Sequence, residues 1–251
     1  MHAMRRRIAS LVMVAAAQLW AADLPQGASL LDRYVEVTGG KQAYEARKSE
    51  VLRGTMEYKI AGLRGSVVRY VRDANLYRAT IEMPGVGAMD MGYRDGIAWQ
   101  DSALLGPRIL EGPEKSEALK DATLDPEYHW RSLYSKAETI GEEDVNGEAC
   151  YKVSLTPIGD DPETWFFSKK TGFVVKMSGI TSTQQGDIPV DTFFSDYKQL
   201  GGVLRPTREV QRVAGQEIEL RLDTAEVNVE IPADRFQFPA GVTALLAKQA
   251  K

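Results

Sequence analysis

The spacing of apolar residues along this chain changes period more than once. Between Ala28 and Val37, Leu30, Leu31, Tyr34, Val35 and Val37 recur at helical intervals, with Ser29 as N-cap and Gly39-Gly40 as the stop. Lys41 to Lys48 reads as a short second helical piece around Tyr44. From Glu50 the period is two. Leu52, Met56, Tyr58 and Ile60 share one face, and Arg53, Thr55, Glu57 and Lys59 the other, the signature of a half-buried strand. Ala61-Gly62 turns the chain into a strand over Leu63 to Asp73, and Ala74-Asn75 into one where Tyr77, Ala79, Ile81 and Met83 alternate with polar residues. Beyond Pro84-Gly85, Met89, Met91 and Tyr93 share a face. Arg94-Asp95-Gly96 then leads to a strand beginning at Ile97. Turns this short predict an antiparallel meander, not βαβ units.

The alternation stops between Gly106 and Lys136. Pro113 to Ala122 reads as a helix, and Asp125-Pro126 as the N-cap and first position of another carrying Tyr128, Trp130, Leu133 and Tyr134. The stretch 104–134 is thus expected as a helical insertion over one mouth or face of the sheet. Strands resume at Ala137 to Val145, and Asn146-Gly147 is the strongest hairpin signal in the chain. Tyr151 to Leu155, Thr164 to Ser168, Phe173 to Ser178, Val190 to Tyr197, Val203 to Arg212 and Gln216 to Val229 follow. In the last, Ile218, Leu220 and Leu222 have one parity and Ala225, Val227 and Val229 the other, so a β-bulge or sharp bend is expected near Asp223-Thr224. This makes about ten or eleven strands, many longer than the usual ~5–6 residues, and such a sheet curls into a half-barrel or a barrel.

The first residues do not belong to that pattern. Arg5, Arg6 and Arg7 precede an apolar run from Ile8 to Leu19, and small residues follow at Ala21 and Ala22. That order predicts a secretory signal peptide over 1–21 and one mature domain over 22–251. The run is shorter than the ~20 residues of a membrane span, which argues against the alternative of an uncleaved anchor. No cysteine near the junction offers a lipoprotein anchor, and the expected location is the periplasm.

Without the leader, 28 Lys+Arg face 35 Asp+Glu, a net charge of −7 that disfavours nucleic acid as a partner. Cys150 is the only cysteine, so no internal disulfide can form, and His129 is the only histidine beyond the leader. A Ser–His–Asp arrangement would have to use His129, and a site with several imidazoles is impossible. The chain has no G-x-S-x-G, no P-loop and no G-x-G-x-x-G. No catalytic group, metal or cofactor is therefore expected, although a pair of facing carboxylates stays open on composition alone. The apolar residues that suit a ligand cavity are Met56, Tyr58, Met83, Met89, Met91, Trp99, Leu104, Leu105, Tyr128, Trp130 and Leu133. Methionine adapts to varied apolar partners; ordinary core packing is the competing reading for each of these.

Several stretches carry a family resemblance: Val37-Thr38-Gly39-Gly40, Val51-Leu52-Arg53-Gly54-Thr55, Asp95-Gly96-Ile97-Ala98-Trp99, Gly147 to Val153, Lys170-Thr171-Gly172-Phe173 and, most plainly, Asn228 to Pro239. Through them the chain resembles the periplasmic lipoprotein carriers, the LolA/LolB-like superfamily, and its outer-membrane lipoprotein-sorting-like members. The resemblance implies an incomplete, strongly curved antiparallel β-barrel closed by helices, mainly β with a helical cover. It further implies acyl chains of a lipid or lipoprotein as ligand, an inner- or outer-membrane protein as loading partner, and a monomeric carrier. A noncatalytic envelope module binding a protein through its sheet edge is the rival expectation.

Overall fold

The structure, a computed structural model, describes residues 24–249 except 74, 184 and 185. The leader predicted over 1–21 lies outside the described residues. Two short helices open the fold, α1 (Gly27–Thr38) and α2 (Gly40–Glu45). A first meander follows: β1 (Ser49–Tyr58), β2 (Leu63–Arg72), β3 (Leu76–Met83), β4 (Gly87–Arg94), β5 (Ile97–Ser102) and β6 (Gly106–Leu110). Helices α3 (Gly112–Ala122) and α4 (Trp130–Leu133) lead to a second meander. It comprises β7 (Tyr134–Val145), β8 (Glu148–Pro157), β9 (Glu163–Ser168), β10 (Val174–Thr183), β11 (Gly186–Leu200), β12 (Val203–Val213) and β13 (Gln216–Val227). A single turn of 3-10 helix (Ala233–Phe236) and α5 (Ala240–Gln249) end the described chain.

All thirteen strands form one antiparallel sheet in the order β6-β5-β4-β3-β2-β1-β13-β12-β11-β10-β9-β8-β7. The two meanders join at the middle, where β1 pairs with β13, and β6 and β7 are left as the free edges of an open, curved sheet. Turn chemistry sets the registers. Asn146-Gly147 has φ of 54° and 88°, the double left-handed conformation of a two-residue hairpin, and Asp95-Gly96 repeats it with 52° and 77°. The expected parity change in the last strand is a bulge: Arg53 pairs with Thr224 and Gly54 with Leu222, leaving Asp223 unopposed.

Three expectations are corrected. The sheet does not stop at Gly106, because β6 adds a five-residue edge strand paired with β5. Its Pro107 is tolerable only where a missing N–H costs no ladder bond. Leu104 and Leu105 are then the tip of the β5–β6 hairpin rather than part of a helical cover. The second inserted helix is a single turn beginning at Trp130. Asp125 does not cap it but takes a left-handed φ of 53°, and its carboxylate is drawn to Arg47. At the N-terminus, Gln26 rather than Ser29 precedes the first helical residue.

The strand parities sort side chains to two faces. On the inner face, α1 packs Leu31 and Tyr34 against Val153, Leu155, Trp165, Phe167 and Val174 of β8–β10. Helix α3 crosses from the β3–β5 end of the sheet to β10, spanning its open side. On the outer face, Ile231 and Phe236 cover Val51, Val68, Tyr70 and Leu76, while α5 packs on β5 and β6. Cys150 also lies outward, buried with Val145 and Phe166, and burial pushes its thiol up to about 11. It is an unreactive core thiol at neutral pH.

Candidate functional site: the enclosed inner face

Between α3 and the sheet the inner face holds two adjoining spaces that share part of their lining. The first, about 660 Å³, is walled by Met56, Tyr58, Val67, Tyr77, Ala79, Ile81, Met89, Met91, Ile218 and Leu220, with Ala118 of α3 above. Alternation produces this wall directly. Even residues of β1, even residues of β13 as far as Leu222, and odd residues of β2, β3 and β4 point inward, and most of these positions are apolar. Across the sheet a single row runs Leu52, Arg69, Ala79, Met91, Gln100 and Arg108.

The second space, about 460 Å³, differs in character. It shares Leu52, Arg69, Glu117, Asp121, Glu209 and Leu222 with the first, but its further lining includes Glu50, Lys120, Asp125, Glu127, Asp160, Asp161, Glu163 and Arg205. Nine carboxylic acids therefore surround it against three bases. Three of these acids, Glu50, Asp125 and Glu163, are held in ion pairs. Arg47, almost fully buried, donates from Nε to Asp125 Oδ2 at 2.6 Å and from its Nη groups to Glu50 and to the carbonyl of Gly201. Arg205 donates to both Glu50 oxygens at 3.0 Å and lies 3.6 Å from Asp125. Burial disfavours the Glu50 anion, but Arg205, Arg47 and Arg69 outweigh it and hold the carboxyl below its usual range. Lys120 bonds Glu163 at 2.9 Å, and Arg69 donates to the Asp121 carbonyl at 2.7 Å.

Two acids stand apart. Glu117 and Glu209 border both spaces, and neither has a hydrogen bond or ion pair within the protein. Enclosure, reinforced by Asp121, pushes each up to about 7, Arg69 and Arg205 limiting the rise at Glu209 and Lys120 that at Glu117. Glu117 is nevertheless an exposed residue and Glu209 a half-buried one. Asp121 and Glu127 are likewise raised by burial.

Helix α3 is anchored by polar ties more than by packing, since only Ala118 and Ala122 are buried on it. Arg108 forks onto Glu114 at 2.7 and 2.8 Å at the β6 end. At the other end Lys120 reaches Glu163, which also accepts from Trp165 Nε1 at 3.0 Å and from the Tyr134 hydroxyl.

Of the residues expected to line a cavity, Met56, Tyr58, Met89 and Met91 border the apolar space. Trp99 closes its wall beside Gly92, but by register its ring lies on the outer side, 1% exposed, with the Arg78 guanidinium 5.7 Å from the ring centre. The rest are elsewhere. Met83 ends β3 against Gly65, beyond the cavity. Leu104 and Leu105 are 73% and 70% exposed, since a hairpin tip has no layer above it. Tyr128 stacks on Tyr44 at 5.4 Å, Trp130 is buried against Leu31 and Tyr34 with Nε1 3.3 Å from Asp32, and Leu133 packs on the same cluster. Those three clamp α1 and α2 because α1 already fills the inner face at that end. The polar half of the site was not anticipated. Its signal was present: Glu50 and Arg69 occupy the inward parity of Leu52 and Val67, where a charge must find a partner.

Among the described residues no group of His, Cys, Asp and Glu is arranged to hold a metal ion. No helix among them is long and apolar enough to cross a membrane.

No protein-family model matches this chain, and no curated protein does. Solved structures do. A DUF1329 family protein from Desulfovibrio piger superposes with a TM-score of 0.59 at 16% identity, covering 87% of this chain and 100% of its own. A LolA superfamily protein from Nitrosomonas europaea gives 0.57 at 14%, covering 86% and 99%. A candidate outer membrane lipoprotein-sorting protein domain from Vibrio parahaemolyticus gives 0.50 at 14%, covering 82% and 97%. With an open thirteen-stranded sheet curved around a helix-covered interior, the chain has the LolA-like fold that its sequence resemblance implies.

Proposed function

We propose that this protein is a noncatalytic carrier, exported to the periplasm by its leader, that holds the apolar chain of a lipid or lipoprotein inside its half-barrel. The observation that carries the reading is the 660 Å³ space walled by Met56, Ile81, Met89, Met91 and Leu220 under α3. Its volume falls within the ~300–1,000 Å³ range of small-molecule sites. Burial alone supplies affinity, about 0.8 kcal/mol for each CH₂ removed from water, so no reacting group is needed. The polar ties of α3 suit a cover that opens to release its cargo.

Native mass spectrometry of the protein purified from its host, with organic extraction of what it holds, tests this. A bound amphiphile of one or a few masses is expected, and Ile81→Trp, which fills the apolar space, should abolish it. A protein that carries none, and that binds no alkyl probe after purification, would overturn the proposal. A stoichiometric protein partner without lipid would instead favour recognition through the free edge of β7, where Ile140 is exposed.

A further inference from the structure

The carrier reading above leaves open what the polar half of the cavity recognises, and the inference that follows rests on that reading. We propose that the ligand's polar end is a cationic, hydrogen-bond-donating group such as an ammonium, received by Glu117 and Glu209 where the apolar and polar spaces meet.

Three observations converge on this. The first is adjacency: a largely apolar space and a charged one share a border, an arrangement that suits an amphiphile better than a hydrocarbon alone. The second is how the charges are used. Each base bordering the charged end already serves the protein: Arg205 holds Glu50 and Asp125, Lys120 holds Glu163, and Arg69 holds the Asp121 carbonyl. The third is the accessible groups left over. The Nε atoms of Arg69 and Arg205 lack acceptors but are sealed from the cavity, and the one accessible donor left on these bases, Nη1 of Arg69, is outnumbered by the acids around it. Glu117 and Glu209 lack partners, border both spaces and are not sealed in this way. With nine acids lining this end against three bases, an entering ammonium meets opposite charge without breaking an ion pair, whereas a phosphate or sulfate meets like charge.

The test compares three probes of equal chain length, decylamine, decanol and sodium decyl sulfate, binding to the full mature protein below their micelle-forming concentrations by calorimetry. Decylamine is expected to bind at least about tenfold more tightly than decyl sulfate, since close charge complementarity in an enclosed site exceeds about 1.4 kcal/mol. The Glu117→Gln, Glu209→Gln double variant keeps size and hydrogen-bonding capacity. It should lose that preference while binding decanol as the wild type does, which separates head-group recognition from folding. Equal affinity for the amine and the sulfate, or an unchanged amine preference in the variant, would overturn the cationic assignment and leave the carrier reading standing. Failure of all three probes to bind would overturn both.

Discussion

Arg47 Nε lies 2.6 Å from Asp125 Oδ2, fastening the residues before β1 to the segment that crosses the open side of the sheet. The same guanidinium reaches Glu50 and the Gly201 carbonyl, so one side chain joins three parts of the chain. Arg47→Met removes all three donors and leaves buried carboxylates relying on Arg205 alone. A loss of about 3–5 kcal/mol is expected in urea unfolding. Arg47→Lys should recover only a part, because a point-like ammonium cannot reproduce the planar fork.

The pH dependence of stability has a definite sign. Glu117 and Glu209 stand near 7 in the folded protein against an ordinary 4.5. Around Glu117 are Asp121, Lys120, Asp160 and Glu163; around Glu209 are Arg69, Arg205 and Asp121. Between about pH 4.5 and 7 the folded state holds protons that the unfolded chain has released, so stability falls as pH rises through that window. Glu219 acts oppositely. Burial raises it, but Arg208 and Arg221 prevail and hold it at about 2, and the stability it adds above pH 4.5 is lost as pH falls toward 2. The thermal midpoint is therefore expected to peak near about pH 5 and decline toward pH 8. Glu209→Gln should flatten the decline, which calorimetric scans across that range would record.

Helix α3 should loosen when its fork is cut. Arg108→Ala removes the paired bonds to Glu114 at a half-exposed site, a cost of about 1 kcal/mol or less to global stability. Local opening is the larger effect. Amides of α3 are expected to exchange hydrogen faster than in the wild type, while those of β1 and β13 are unchanged. Unaltered α3 exchange would mean that its packing, not its ionic ties, holds it down.

At Gly92 the backbone approaches an indole so closely that an added Cβ would fall 2.6 Å from Trp99 Cζ2 and 2.7 Å from the Tyr77 carbonyl. Gly92→Ala should destabilise by about 1–3 kcal/mol and shift the tryptophan emission, since the ring must move away from the strand. Gly96→Ala, which meets no neighbour but has a φ of 77°, serves as the comparison: backbone strain without a shift in emission.

The readability of these features in the sequence follows their range. Asn146-Gly147 is a local signal, and the hairpin it predicts is present. The change of parity after Leu222 is a local signal as well, and the bulge at Asp223 lies where that change demands. Edge strand β6 escaped detection because five residues containing Pro107 carry too little alternation. The placement of Tyr128, Trp130 and Leu133 could not be read either, because whether a helix's apolar side lines a cavity or fills one depends on α1, about a hundred residues earlier. The charged half of the cavity is the most instructive omission. Each of Glu50, Arg69 and Arg205 alone resembles an ordinary strand charge, and only the sheet's curvature brings them to the same interior.

The pairing of β1 with β13 has a consequence for how the chain acquires its structure. The ladder at the centre of the sheet joins the first and last strands, so it is the strand pairing of greatest sequence separation and the last ladder that a growing chain can make. Until Gln216–Val227 takes its place, the strands β1 to β6 can form only an arc with β1 as an unpaired border, and Leu52 and Met56 have no neighbour on that side. A folding chain of this protein therefore presents two unpaired halves, and a binding factor that shields the border of β1 until the ladder closes would raise its yield.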